Sequence, residues 1–231
     1  MALLQNIPEI PLDKWVNAAI AWIIGHFGDF FNVLNSLIEG VVNSLSFLLT
    51  LFPSLVMIVV FTVIAFFMSG WRIAVFTVLG LLLVVSLGLW DLTMTTLSLI
   101  LVATTVCLAI GIPIGIIAAK SPRLEEISLP ILDLMQTMPA FVYLVPFVFL
   151  LGLGAGPALL ATVIFATPPA VRLTMLGIQQ VPKETVEAAH AFGSTPMQTL
   201  FKVELPLSLS SIRAGVNQVI MLSLSMVVIA G

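Results

Sequence analysis

The side chains that most often carry chemistry are few in this sequence, and they do not cluster. Cys107 is the single cysteine and lies in an apolar run, so we interpret it as a small hydrophobic residue without a disulfide partner in the chain. His26 and His190 stand alone, with no set of cysteines and carboxylates to complete a metal site. The sequence shows no nucleophile motif and no G-x-x-x-x-G-K-[ST] phosphate loop. We therefore expect no catalytic site, no metal site and no bound cofactor in this chain.

Two charged residues interrupt apolar runs that are long enough to enter a membrane. Asp133 and Arg172 lie toward the same end of their respective runs. A charge at such a position is costly unless it is paired or reaches the lipid headgroups. We hypothesise that the two form an ion pair between helices; separate contacts with the headgroups are the alternative.

Aromatic residues crowd the run that follows Asp133. Phe141 and Tyr143 are followed there by Phe147 and Phe149. The faces of aromatic rings attract quaternary ammonium groups, so these residues are candidates for lining a transport pathway. Ordinary packing or lipid contact is the commoner role of such residues.

Prolines and glycines interrupt three of the apolar runs. They are the GIPIG segment at 111–115, Pro139 with Pro146, and the adjacent Pro168 and Pro169. Each proline removes or strains a helical hydrogen bond, and irregular backbone survives at membrane depth only against protein or a watery cavity. We expect these spans to face inward and to line a pathway, with simple packing kinks as the alternative.

The composition requires a membrane around these runs. Of the 231 residues, 60% are hydrophobic and 8% are charged, whereas soluble domains have about 25% charged residues. The net charge of −3 argues against nucleic acid as a partner. We predict an all-α, polytopic membrane helix bundle in contact with lipid.

The hydropathy pattern predicts five complete spans, since a spanning helix needs about 20 apolar residues. They cover roughly 48–68, 72–90, 93–118, 131–151 and 157–178. A sixth span begins near Ile212 and is still running at Gly231, so we expect the intact protein to continue.

The basic residues predict an orientation. They lie in or beside alternate connections, namely Arg72, Lys120, Arg123, Lys183, Lys202 and Arg213. The opposite connections hold Asp91 and the uncharged segment GLGAGP. Because positive connections face the cytoplasm, we expect the N-terminus outside and the connection at 181–206 inside the cell.

The N-terminal stretch at 12–45 differs from the rest. Apolar residues recur there at three- and four-residue steps, which predicts an amphipathic helix that could break near Gly25 and Gly28. We expect this helix to lie along the membrane surface; a first spanning helix with polar positions is the alternative. The opening MALLQNIPEIPLDKW has no features of a secretory signal peptide.

The chain therefore divides into three parts. Residues 1–45 are the amphipathic segment, residues 46–90 the first two spanning helices, and residues 91–231 the main transmembrane domain.

The polar connection at 181–206 contains several signals of helix boundaries. They are Pro182 for a first helical turn, Gly193 for a left-handed cap, Thr195 with Gln198 for a capping box, and Pro206 for a stop or a kink. Together they predict a stiff pair of helices around a turn, standing off the membrane. Such a pair is either an ordered connector or a docking element for a cytoplasmic partner.

The spacing within this connection resembles a known signature. E-A-A, three residues, Gly, nine residues, an aliphatic residue, one residue and Leu-Pro mark the permease subunits of bacterial ABC importers. The matching positions are Glu187, Ala188, Ala189, Gly193, Val203, Leu205 and Pro206, with valine where isoleucine is commoner. The segments ILDLMQTMPAFVYL, FATPPAVRLTMLGIQQVP and GVNQVIMLSLSMVVIA further resemble the glycine betaine/proline betaine permeases.

The resemblance implies a type I ABC importer transmembrane domain. In that family the connection is a coupling helix that docks in a groove of the cytoplasmic ATP-binding subunit, so the motif residues would form the docking surface here. ATP and magnesium would bind to that partner. The family also implies a second permease copy in a homodimer, and an external substrate-binding protein or fused domain.

The function implied is ATP-driven import of glycine betaine, proline betaine or a related quaternary-amine osmoprotectant across the bacterial plasma (inner) membrane, by alternating access. An ion-gradient-driven secondary transporter or channel for small zwitterions is the alternative. Such a protein would be expected to place ionisable residues at the bilayer midplane, whereas here they lie toward one edge.

Overall fold

The computed structural model describes residues 12–230, and all regular structure in that range is helical. The helices are α1 Leu12–Thr50, α2 Ser54–Ser69, α3 Trp71–Ser86, α4 Trp90–Ala119, α5 Pro122–Thr137, α6 Ala140–Leu151, α7 Ala155–Gln179, α8 Lys183–Ala191, α9 Pro196–Thr199 and α10 Leu205–Ala230, with a π-helical turn at Leu200–Glu204 before α10. Most of the opening stretch that bears on a signal peptide, and Gly231, lie outside the described residues. This architecture agrees with the predicted all-α bundle.

Within residues 12–230, four helical stretches are long and apolar enough to cross a membrane. They are Ile20–Thr50 within α1, α4, α7, and the run Pro196–Ala230 that includes α10. Helices α5 and α6 add a fifth if their bent pair counts as one span. The predicted spans at 93–118 and 157–178, and the one beginning near Ile212, lie within α4, α7 and α10.

Helix α1 runs without interruption, so the suggested break near Gly25 and Gly28 does not occur. A Cβ atom at either glycine would meet nothing within 4 Å, so no neighbouring element forces a bend there. Farther along α1, Ile38 and Val42 are buried in the bundle. The stretch from Ile20 is apolar enough to span, which was the alternative to a helix on the membrane surface.

The spans predicted at 48–68 and 72–90 are wrong in their extent. Helices α2 and α3 have 16 residues each, or about 24 Å at 1.5 Å per residue, against a hydrocarbon core of about 30 Å. Pro53 precedes α2, and Gly70, at φ +85°, separates the two helices. The two helices pack mainly on each other. The hydropathy pattern does not mark these helix boundaries, so the spans predicted from it extend beyond the helices.

Helix α7 forms the centre of the bundle, with α4 and α10 packed along it. Most of its residues are buried, which is expected of a helix that is apolar on all sides. Two groups of buried apolar side chains surround it. One group is Ile38, Val42, Leu99, Ala103, Ala158, Leu159 and Val227, and the other is Cys107, Ala166, Ala170 and Val219. The interpretation of Cys107 as a packed hydrophobic residue is confirmed.

Glycines allow these helices to approach closely. A Cβ atom at Gly111 would lie 2.6 Å from Ala170 Cβ, and one at Gly115 would lie 2.6 Å from the carbonyl oxygen of Val171. On the other side of α7, Gly177 lies against side chains of α10. Small residues at such contacts are how membrane helices associate without a hydrophobic driving force.

The predicted span at 131–151 is not one straight helix. Helix α5 ends at Thr137 and α6 begins at Ala140, and the two are bent by 87°. Pro139 stands at the N-cap of α6, and Met138 before it has the extended backbone that a following proline favours. The hydroxyl of Tyr143 donates a hydrogen bond of 3.0 Å across the bend to the carbonyl of Met135.

The other prolines do not interrupt their helices. Pro113 lies inside a continuous α4, and Pro168 and Pro169 lie inside a continuous α7. Both α7 prolines are buried among protein atoms, so the neighbouring helices provide the environment in which strained hydrogen bonds are tolerated. The helices are therefore continuous at 111–115 and 167–169, and a role of these segments in lining a pathway stays a prediction.

The ends of the long helices form two groups. Gly154, Ala155 and Ala230 line one cavity at one end of the bundle. Lys120 and Glu204 meet at the other end, where α4 ends and the connection after α7 returns. We call the end of the bundle at which Lys120 and Glu204 meet the loop end.

The glycine contacts give a test of the packing. Gly115→Ala should lower the stability of the bundle by about 1–3 kcal/mol, because the added methyl group must displace backbone of α7. Gly80→Ala in α3 is the matched control, since a methyl group there meets nothing within 4 Å. Thermal unfolding of the two variants in detergent measures the difference. Equal midpoints would contradict the close approach of α4 and α7.

Candidate coupling site

The connection between α7 and α10 begins with helix α8, which ends as predicted. Gly193 has φ +81°, and its N–H donates 2.9 Å to the carbonyl of His190. The N–H of Ser194 donates 3.1 Å to the carbonyl of Ala189. This pair of bonds is the Schellman pattern, in which a left-handed glycine satisfies the last carbonyls of a helix. Pro182 stands at the N-cap, one position before the first turn.

The second half of the connection starts with the predicted capping box. The N–H of Thr195 donates 2.9 Å to Gln198 Oε1, and the N–H of Gln198 donates 3.4 Å to Thr195 Oγ1. Both ends of the turn are therefore held by hydrogen bonds within the connection, which makes the turn rigid.

Of the stop or kink predicted at Pro206, the stop does not occur. Helix α9 passes through the π-helical turn at 200–204 directly into α10, and the whole run from Pro196 to Ala230 is helical. In that turn the N–H of Leu205 bonds to the carbonyl of Leu200. The wider turn relieves the crowding that a proline ring causes in a regular helix.

The motif residues divide by exposure. Glu187, Ala188, Gly193 and Pro206 are exposed, whereas Ala189, Val203 and Leu205 are partly buried. The exposed positions of α8 leave its small residues open to another surface. Val203 and Leu205 contribute to the base of the connection instead.

The connection has an apolar tip that was not predicted from the sequence. Phe192 is 92% exposed and Met197 is 64% exposed, on either side of the Gly193 turn. The apolar surface of these two side chains is available for contact with another protein. The position of Phe192 directly before the capping glycine was the available signal.

The base of the connection holds an ion pair that the sequence analysis also missed. Lys120 Nζ, at the end of α4, donates to Glu204 Oε2 in the π-helical turn. The side chain of Glu204 is only 6% exposed. The two residues are 84 positions apart, and no local pattern predicts such a partner.

A second polar contact joins the end of α7 to the start of α5. Gln179 Nε2, at the end of α7, donates a hydrogen bond of 2.8 Å to Glu125 Oε2 in the first turn of α5. Both ends of the connection at 181–206 are thus attached to the turn between α4 and α5. We call this turn, from Lys120 to Glu125, the α4–α5 corner.

The two charges within the apolar runs form the pair that was hypothesised. Arg172 Nη2 of α7 contacts Asp133 Oδ1 of α5. The arginine side chain is 33% exposed and the aspartate side chain 62% exposed, so the contact lies at the surface of the single chain. Any role of the pair in transport stays a prediction.

The aromatic residues of α6 do not converge. Tyr143 and Phe147 are four positions apart and partly buried, while Phe141 and Phe149 are exposed. Residues four apart share a helix face, so the four rings divide between two faces. Pro139 lies at the bend, whereas Pro168 and Pro169 are buried in α7. The structure of the single chain therefore does not bring the suggested pathway residues to one point.

Comparison with known proteins now identifies the family. Residues 111–231 match the family model of the binding-protein-dependent transport system inner membrane component. The chain belongs to this family. The matched residues include the whole connection from 181 to 206, and the resemblance drawn from its motif is confirmed.

Individual relatives cover nearly all of the chain. The glycine betaine/proline betaine transport system permease protein ProW of Escherichia coli K12 is 48% identical over 96% of this chain. The glycine betaine transport system permease protein OpuAB of Bacillus subtilis 168 is 46% identical over 98% of it. The chain spans 62% of the length of the first relative and 80% of the second. It is a multi-pass membrane protein of the same family.

The Asp133–Arg172 pair gives a second test. Asp133→Asn and Arg172→Gln should each destabilise the protein, and the double variant should cost less than the sum, with a coupling of about 1 kcal/mol for a partly exposed pair. Unfolding in detergent measures all four proteins. Asp91→Asn combined with Arg172→Gln is the control and should be additive, because Asp91 lies in the first turn of α4, away from the loop end. Additivity for Asp133 and Arg172 as well would show that the pair contributes nothing.

Proposed function

We propose that this chain is the transmembrane permease subunit of an ATP-driven ABC importer. The observation that carries the proposal is the connection at 181–206, which has the family motif on a rigid, exposed helix pair at one end of the bundle. Energy from a partner can move the bundle only through an element that does not deform. The Schellman cap and the capping box supply that stiffness.

The partner proposed for this element is a cytoplasmic ATP-binding subunit that carries ATP and magnesium. Glu187, Ala188, Ala189 and Gly193 would form the docking surface, because they lie along α8 and its cap. Phe192 adds an apolar contact at the tip, where 92% of its surface is free. Burial of such a ring in a groove stabilises a complex by about 2 kcal/mol.

The substrate proposed is glycine betaine, proline betaine or a related quaternary-amine osmoprotectant. The support is the relatives: ProW, OpuAB, and the glycine betaine/carnitine transport permease protein GbuB of Listeria monocytogenes, which is 46% identical over 98% of this chain. An external binding protein or fused domain would deliver the substrate. Two permease copies would then enclose the pathway, since the rings of α6 do not form a closed site in one chain.

The orientation proposed places the loop end in the cytoplasm of a bacterium and the N-terminus outside the plasma (inner) membrane. Lys120, Lys183 and Lys202 all lie at or beside the loop end, in agreement with the excess of positive residues on the cytoplasmic side.

Reconstitution tests the proposed function. The full protein, its ATP-binding subunit and its external binding protein are placed in vesicles, and uptake of labelled glycine betaine is measured with and without ATP. Uptake should require ATP and the ATP-binding subunit. Uptake driven by an ion gradient without ATP would instead support a secondary transporter and would refute the proposal.

Substitutions at Gly193 test the rigid cap. A Cβ atom at this position meets nothing within 4 Å, so the effects come from the backbone angle alone. Gly193→Asn should retain uptake, since asparagine tolerates φ near +80°, whereas Gly193→Ala should cost about 1 kcal/mol in cap stability. Gly193→Pro also loses the N–H bond to His190 and should abolish ATP-dependent uptake without stopping membrane insertion. Uptake by Gly193→Pro at the level of the unchanged protein would show that the cap has no part in coupling.

A further inference from the structure

The Lys120–Glu204 ion pair lies at the base of the connection. A force applied to the tip of the connection would pass through this pair into the rest of the bundle. Helix α8 contacts mainly α9 and the π-helical turn. The π-helical turn also ends in Glu204, which contacts Lys120 at the end of α4. A displacement of the exposed tip therefore reaches Glu204 through one unbroken helical segment, and passes from there to the α4–α5 corner.

The contact is of a kind that does not separate easily. The side chain of Glu204 is 6% exposed, and Lys120 Nζ is its hydrogen-bond partner in the described part of the chain. A buried carboxylate that loses its partner keeps the full cost of its burial. Glu204 and Lys120 should therefore move together, as a fixed joint between the connection and the corner.

The corner in turn fixes the position of the start of helix α5. Lys120 is the C-cap of α4, and α5 begins two residues later at Pro122. The Gln179–Glu125 hydrogen bond holds the first turn of α5 at 2.8 Å, and the Asp133–Arg172 pair holds its far half. Helix α5 is thus attached at its start and near its end, and leads directly into the 87° bend.

We infer that Lys120 and Glu204 are positioning residues that transmit movement of the coupling connection to the α5–α6 bend. This inference rests on the proposed function. The pair itself contacts neither ATP nor substrate. Its role is to convert displacement of the tip into displacement of the bend, where α6 begins.

The test compares transport with ATP hydrolysis in the same vesicles. Glu204→Gln and Lys120→Met remove the charge attraction, and both uptake of labelled glycine betaine and ATP hydrolysis are measured with the full transporter. Hydrolysis should persist, because the docking surface on α8 is unchanged, while uptake per ATP hydrolysed should fall by about tenfold, within the range of coupling between linked sites. A role in stability alone would lower both activities together and leave their ratio unchanged, and that result would overturn the inference.

Two further variants distinguish the effect of the ion pair itself from effects of the residues around it. Lys120→Arg keeps the charge and should keep the ratio of uptake to hydrolysis. The charge exchange Lys120→Glu with Glu204→Lys should recover part of the ratio that either single exchange loses. Failure of the conservative variant to preserve the ratio, or equal ratios in all variants, would refute a role for the ion pair.

Controls come from the same corner. Arg123→Gln and Glu126→Gln change exposed charges at the start of α5 without touching the pair, and should leave the ratio as in the unchanged protein. If Lys120→Met fails to insert because it leaves the buried Glu204 carboxylate unpaired, Glu204→Gln still decides the question, because the neutral amide carries no such cost and the lysine side chain is 45% exposed. Absence of ATP-dependent uptake in the unchanged protein would refute the proposed function; uptake there with an unaltered ratio in the variants would refute only this inference.

Discussion

The bundle depends on the close approach of helix backbones around α7. Lipid tails are as apolar as leucine, so contact at short range must supply the attraction between membrane helices. Gly111 and Gly115 bring α4 to α7, and Gly177 and Gly215 bring α10 to it from the other side. Larger residues at these positions would separate the helices. The ends of α7 and α10 that the polar connection joins would then separate as well.

The same contacts explain why the connection can be stiff. Gly177 lies against Ser208 and Ser211, so the helix that enters the connection touches the helix that leaves it just inside the loop end. The base is therefore fixed, and the caps at Gly193 and Thr195 fix the tip. A segment held at both its base and its tip moves as one body, whereas a flexible segment would absorb the displacement that a partner imposes.

Local features were predictable from the sequence. Among the contacts between distant residues, the Asp133–Arg172 pair was predicted because both charges interrupt apolar runs, whereas the Lys120–Glu204 pair was not. The cap at Gly193 and the capping box at Thr195 depend on residues within a few positions, so the sequence contains their full cause. The partner of Glu204 is 84 positions away, and hydropathy does not register the bend before Pro139 because the residues on both sides are apolar. The stop considered at Pro206 was wrong because the helix continues through a π-helical turn, which no residue type specifies.

The contacts divide the bundle into two parts with different capacities for movement. Helices α4, α7 and α10 interlock through glycine contacts, which leave little freedom because packed interiors resist deformation. Helix α5 contacts α7 at fewer points, and its contacts include two polar ones, the Asp133–Arg172 pair and the Gln179–Glu125 bond. Polar side chains can exchange such partners within the same backbone, and interfaces of this kind support two discrete arrangements. A movement of α5 and α6 against α4, α7 and α10 would disturb fewer close contacts than a movement within that group of three helices, and it would begin at the corner that the connection holds.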